Sequence, residues 1–228
     1  AARANGICGV SVEHTHTCTS LGFFTEQFAA EGLLAIGTTN ATPRVSPPGG
    51  SIPVLGTNPI AVAVPDGAGG IAFQFDFSTS AVALGRITMA AAAGEEIPFG
   101  WAVDADGHPT TDPQAALTGS LVSAGGYKGY GIGLLVEVLA GALTGCRLSV
   151  DVPPLKSPEG EPHDLGQFYV VIDPDSYSGR TFHDRLAALA ESITVQEGAR
   201  LPGAGRLPAD PVDVEDSVWT LVTELAGD

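Results

Sequence analysis

The segment GGYKGYGIGLLVEVLAGALTG, residues 125–145, constrains this chain more than any other. A glycine-rich turn runs straight into residues 128–143, which are apolar on nearly every side. That pattern predicts a helix buried all round rather than one with a solvent face. A core must surround it, and 228 residues at 44% hydrophobic are enough to build one. Glycines let a backbone approach closely, and a helix N-terminus offers free N–H groups to an anion. Lys128, one of only two lysines with Lys156, adds a full charge there, and Gly129 follows it. The spacing is neither GxGxxG nor a P-loop. Close helix packing accounts for Gly129, Gly131 and Gly133 equally well.

Around this block, strand and helix patterns are mixed irregularly. Residues 6–12 (GICGVSV), 33–38, 60–64 (IAVAV), 71–77 (IAFQFDF) and 167–172 (QFYVVI) read as strands. Residues 21–31 have helical spacing, with Leu21, Phe24, Phe28 and Ala29 on one side and Gly32 as a stop. Residues 80–93 read as a helix ending at Gly94, residues 181–196 as an amphipathic helix, and residues 212–225 as one in the tail. A strand, an Asp-Gly turn and a loop fit residues 101–112. Prolines make loops of residues 43–50 and 151–166. The fold class is therefore α/β (α+β), without a regular βαβ repeat. The opening AARANGICGVSVEH reads as the interior of a domain, so an upstream segment is expected before Ala1.

The formal charge of −16, from 26 acidic residues against 10 Lys and Arg, argues against a phosphate-binding surface and against nucleic acid as a partner. No run of about 18 apolar residues occurs, so no membrane span is expected. Cys8, Cys18 and Cys146 are odd in number and form no CxxC pair, which indicates neither a disulfide scaffold nor structural zinc. The acidic, lysine-poor composition suits a soluble cytoplasmic protein.

Two further segments carry chemistry. His14 and His16 stand two apart on a segment leaving a strand, so in extended geometry they point to the same side. Histidine can move a proton near neutrality or ligate a metal. A third ligand is missing from the pattern, so no metal site is expected. In Asp76-Phe77-Ser78-Thr79-Ser80 a strand ends in a carboxylate and hydroxyls. Ser78 or Thr79 would cap the following helix, or the group would line a ligand.

Together, LGTNPIAVAVP (55–65), FDFSTSAVALGRI (75–87), IPFGWAVDADGHPTTDP (97–113), GGYKGYGIGLLVEVLAGALTG and GQFYVVIDP (166–174) resemble the malate/L-lactate dehydrogenase family. This is the family distinct from the Rossmann-type lactate dehydrogenases. It includes ureidoglycolate and sulfolactate dehydrogenases and the piperideine-2-carboxylate and pyrroline-2-carboxylate reductases. The resemblance implies a non-Rossmann NAD(P)-binding domain, with a mixed, largely antiparallel sheet flanked by helices, in a homodimer. It implies NAD or NADP as cofactor and a 2-hydroxy acid as the small-molecule substrate, or a cyclic 2-imino acid in the reductase branch. Residues 1–200 would form the catalytic and cofactor domain, its N-terminal part missing, and residues 201–228 a tail with a helix.

The resemblance also implies roles. Thr15-His16-Thr17 ahead of Gly22-Phe23-Phe24 matches the family's acid/base motif, making His16 the catalytic candidate and His14 the reserve. One extra residue separates His16 from Gly22, and Cys18-Thr19-Ser20 replaces the usual Gly-Ala. Cofactor contacts would come from Asn40 and Thr42, from Asp76, Phe77 and Ser78, and from Lys128 and Gly129. Some members carry an acid where Thr42 stands. With Thr42 neutral, Arg44 would favour the NADP 2′-phosphate, unless it is only an exposed loop arginine.

Overall fold

β-Branched and aromatic runs form strands where the chain can pair them, and here the pairing reaches far along the sequence. The computed structural model describes residues 1–154, 161–178, 181–205 and 213–227. Lys156 and the first residue of the expected tail helix, Val212, lie outside the described residues. Along the chain come β1 (Ile7–Thr15), β2 (Leu34–Thr39), β3 (Ile60–Pro65) and β4 (Ile71–Phe77). Three two-residue strands follow, β5 (Ala102–Val103), β6 (Pro109–Thr110) and β7 (Ser120–Leu121), and then β8 (Leu165–Ile172). The helices are α1 (Ala2–Asn5), α2 (Gly22–Ala30), α3 (Leu84–Ala93), α4 (Pro113–Thr118), α5 (Tyr127–Glu137), α6 (Asp175–Ser178), α7 (Thr181–Thr194) and α8 (Asp216–Ala226).

The main sheet has five strands in the order β1-β8-β2-β3-β4, each antiparallel to its neighbours. This is the largely antiparallel, non-Rossmann sheet that the resemblance implied. The second sheet has three strands, in the order β6-β5-β7. Helix α2 packs on the main sheet through a core of Leu21, Ala61, Tyr169 and Val171, with Phe24 and Phe28 against it. A second core of Val45, Leu55, Val82, Ile87, Ile97 and Leu121 sits between the small sheet and α3 and α4.

Two expectations need correction. The apolar helix is buried on one side only. Gly129, Gly133, Val136 and Glu137 are buried in α5, and Ala140 and Gly141 in the π-helical turn Val138–Ala142 that continues it. Ile132, Leu135 and Val138 are 46%, 55% and 55% exposed. The buried stripe is built of small residues because the neighbouring backbone comes so close. A Cβ on Gly129 would lie 2.0 Å from the Ala124 carbonyl oxygen. The same probe at Gly131 meets nothing within 4 Å, so packing within the chain does not require that glycine.

Nor does α3 begin at Ser80. Ser80 Oγ donates to the Val82 carbonyl at 2.8 Å and lies within hydrogen-bond distance of Ser78 Oγ at 2.9 Å, and Ala81 N–H donates to the Val122 carbonyl. These bonds hold residues 78–83 against β7's continuation instead of letting them coil. The helix starts at Leu84 after Ala83, with no side-chain cap, so neither Ser78 nor Thr79 caps it.

Candidate functional site

A single β-bulge separates the two histidines. β1 and β8 keep register from Ile7↔Ile172 to Val12↔Gln167, then resume at Thr15↔Leu165, so Glu13 and His14 stand opposite one residue. His14 takes a left-handed φ of 55°. The alternation that would have put His14 and His16 on one side breaks there. His14 Nδ1 lies 2.7 Å from Asp164 Oδ1. His16 instead stacks on His163, ring centres 4.4 Å apart and planes inclined by 19°.

His163 is buried, and it lines a cavity of about 450 Å³ at one end of the main sheet. Thr39 and Asn40 at the end of β2, Asp76 and Ser78 at the end of β4, and Leu165 at the start of β8 contribute. So do the loops carrying Thr17, Cys18 and Thr19 and Thr42 and Arg44. The antiparallel order brings these strand ends to the same edge. His16, through its stack, stands beside this cavity.

Several lining groups also hold the protein together. Asn40 is buried; its Nδ2 donates to the Arg147 carbonyl at 2.7 Å and its Oδ1 accepts Gly166 N–H at 3.4 Å. Thr42 Oγ1 donates to the Pro153 carbonyl at 3.1 Å. Asp76 Oδ2 accepts Gly22 N–H at 2.8 Å, so a carboxylate from β4 satisfies the first turn of α2, where negative charge is favoured. Burial pushes the Cys18 thiol above its ordinary pKa; its own backbone hydrogen bond opposes this, and the Asp76 charge adds to it.

Of the expected site residues, Asn40, Thr42, Arg44, Asp76 and Ser78 converge on the cavity. Phe77 is on the other face of β4, stacked on Phe75 at 4.9 Å and lining a separate shallow pocket with Arg86 and Trp101. Lys128 is exposed in the first turn of α5, and Gly129 is buried against Ala124; neither lines the cavity. His163 and Thr57 line the cavity and were not singled out in the sequence. His163 sits in what reads as a polar loop, and only the antiparallel pairing of β1 with β8 brings it to His16.

Behind the cavity a buried polar cluster ties α5 to the loops. Glu137 accepts from Asn58 Nδ2 at 2.7 Å and from both Ser149 N–H and Ser149 Oγ at 2.6 Å.

Comparison with known proteins places the chain. The malate/L-lactate dehydrogenase family pattern matches residues 1–213. A (2R)-3-sulfolactate dehydrogenase (NADP(+)) of Chromohalobacter salexigens is 40% identical over 205 residues, covering 90% of this chain and 61% of that protein. A Delta(1)-pyrroline-2-carboxylate/Delta(1)-piperideine-2-carboxylate reductase of Pseudomonas putida is 39% identical over 227 residues, covering 99% of this chain and 66% of the relative. Among solved structures, the delta1-piperideine-2-carboxylate reductase from Pseudomonas syringae superimposes with a TM-score of 0.89 at 35% identity. That match covers 98% of this chain and 69% of that one. The sulfolactate dehydrogenase from Methanocaldococcus jannaschii gives 0.86 at 30% identity, covering 99% and 68%. The chain thus spans somewhat under two thirds of the length of these curated relatives.

Proposed function

Because the chain belongs to the malate/L-lactate dehydrogenase family, we propose that it takes part in NAD(P)-dependent hydride transfer between nicotinamide and a small 2-hydroxy acid. The observation that carries this reading is His16 lying on His163 beside the cavity at the sheet end. The cavity suits a phosphate-bearing heteroaromatic ligand. Arg44 and Ser78 offer donors, Thr42 Oγ1 an acceptor, and Leu21, Pro59 and Leu84 an apolar wall.

When bound, NAD or NADP supplies the hydride acceptor or donor. His16 takes the hydroxyl proton of the 2-hydroxy acid on oxidation and returns it on reduction. The buried ring of His163 holds that of His16 in one orientation. Arg44 presents a guanidinium suited to the two-pronged recognition of a 2′-phosphate, which favours NADP. Asn40 and Asp76 shape the cofactor wall, since their polar atoms already bond to the protein, and Phe77 backs β4 from its other face. Lys128 and Gly129, at the N-terminal end of α5, meet an anionic group lying beyond the cavity.

A second reading is reduction of a cyclic 2-imino acid, with His16 delivering its proton to nitrogen. The likeness to the Pseudomonas reductases favours it. In either reading the chain acts as a homodimer. Ile132, Leu135 and Val138 recur at three-residue steps on one exposed face of α5 and its continuation. With its three cysteines free, the protein belongs in the cytoplasm. Among the described residues no helix is long and apolar enough to cross a membrane.

The test follows NAD(P)H absorbance with a panel of 2-hydroxy, 2-oxo and cyclic imino acids. The reading expects turnover with a 2-hydroxy or 2-oxo acid, cut by about 100-fold or more in His16→Ala. Turnover with imino acids alone selects the second reading. Full activity in His16→Ala removes that residue from the mechanism, and an NADP preference unchanged in Arg44→Ala removes Arg44 from cofactor choice.

A further inference from the structure

The bulge that turns His14 away from His16 also brings it to two residues far along the chain. A ring nitrogen of His14, the Sγ of Cys146 and a carboxylate oxygen of Asp164 all lie within 4.8 Å of one another. His14 backbone N–H reaches Cys146 Sγ at 3.4 Å, and His14 Nδ1 is 2.7 Å from Asp164 Oδ1. Both His14 and Asp164 hold a φ of 55°, a conformation uncommon for residues with side chains.

The sequence offered no third metal ligand near the histidines; the fold supplies two, from the loop after α5 and from the entry to β8. We propose that His14, Cys146 and Asp164 form a zinc site with three protein ligands and one open position. An imidazole, a thiolate and a carboxylate are the donors this ion takes, at about 2.0–2.3 Å each. Tetrahedral bonds of that length hold ligand atoms about 3.3–3.6 Å apart, so His14 Nδ1 and Asp164 Oδ1, now 2.7 Å apart, part slightly as the ion takes the place of the proton between them. The Cys146 thiol proton leaves to solvent as the Zn–S bond forms.

The surroundings fit such a ligand set. Arg147 Nε lies 4.0 Å from Asp164 Oδ2, leaving Oδ1 on the side of His14, and Arg147 is itself bonded to Glu161. A ligating carboxylate is commonly oriented by a partner of this kind. Cys146 is buried while the His14 ring is largely exposed, which gives the ion an entry path. The other cluster of ligating types, Asp104, Asp106 and His108, is different in kind. There Asp104 Oδ1 accepts the backbone N–H groups of Asp106 and His108 and closes an exposed turn.

The proposal does not depend on hydride transfer. Its effect would be to clamp the end of β1 to the segment that carries His163.

The test uses the full chain, stripped with EDTA and kept reduced, then titrated with Zn²⁺ by calorimetry and with Co²⁺ by absorption. A single Zn²⁺ per chain and a near-ultraviolet thiolate-to-cobalt band are expected. His14→Ala should weaken Zn²⁺ binding by about ten-fold or more, and Cys146→Ser should abolish the band. Melting curves confirm that each stripped variant is folded; His14, being exposed, tolerates truncation if Cys146 does not. His108→Ala should change neither readout. Unaltered binding in His14→Ala, a missing cobalt band, or loss of binding in His108→Ala overturns the proposal.

Discussion

The imidazole of His16 lies nearly parallel to that of His163, with ring centres 4.4 Å apart, across 146 residues of intervening sequence. His163 is the buried member and His16 the exposed one. If His163 acts by fixing the ring above it, shape should matter more than its nitrogens. His163→Ala is expected to lower kcat/KM by about ten-fold, roughly 1.4 kcal/mol of transition-state stabilisation. His163→Phe, which keeps a stacking surface, should restore most of the loss. Steady-state kinetics of the two variants check this; equal losses in both would count against a stacking role.

The carboxylate of Asp76 stands in for a missing helix cap. Leu21 precedes α2 and makes no side-chain cap, so Gly22 N–H turns to Asp76 on the neighbouring strand. Asp76→Ala is expected to destabilise the protein by about 1 kcal/mol, and Asp76→Asn, which keeps an acceptor, by less. Urea unfolding followed by circular dichroism measures both.

Two glycines of α5 should respond in opposite ways. A methyl on Gly129 would run into the Ala124 carbonyl, so Gly129→Ala is expected to cost about 2 kcal/mol or more, or to displace the turn before the helix. Gly131 is exposed with open space around it, and Gly131→Ala should stabilise the helix by up to about 1 kcal/mol. Thermal melts of the two variants side by side decide the matter.

Alkaline pH should weaken the core under α2. Burial raises the pKa of the Tyr169 hydroxyl above its ordinary 10.0, and that of the Cys18 thiol above 9.0. Each group therefore contributes stability that is complete below those values and is lost as pH rises through the folded-state pKa. Melting temperature is expected to hold near neutrality and fall from about pH 9 upward. Tyr169→Phe should flatten the fall above about pH 10 and leave the acid side unchanged. A curve of the same shape in wild type and variant would sink the assignment.

Much of this architecture was legible as local pattern. The alternation of IAVAV and IAFQFDF gave adjacent strands around a turn, and Gly32 and Gly94 fell where α2 and α3 end. The failures share a cause: each was settled by something distant. The apolar circumference of α5 could not say which side its own chain would cover. Ser78 and Thr79 read as caps until the Val122 carbonyl drew Ala81 away from the helix. His14 and His16 looked like a pair because two-residue spacing holds only in an unbroken strand, and nothing in GVSVEHTHT announces the bulge. Asn40, Thr42, Arg44, Asp76 and Ser78 were gathered by family resemblance, and the strand order is what collects them at one cavity.

The position of β8 has a consequence for how the molecule comes into being. It fills the slot between β1 and β2, yet among the described residues it follows every other strand in chain order. The β2-β3-β4 meander can close early, from contacts near in sequence, but β1 at the sheet's edge has β8 as its neighbour and must wait for it. Until then two strand edges stay open to other chains, the interval in which misassembly is most dangerous. His16 and His163 meet only when β8 docks, so the proposed acid/base centre and the completed sheet arise in the same event.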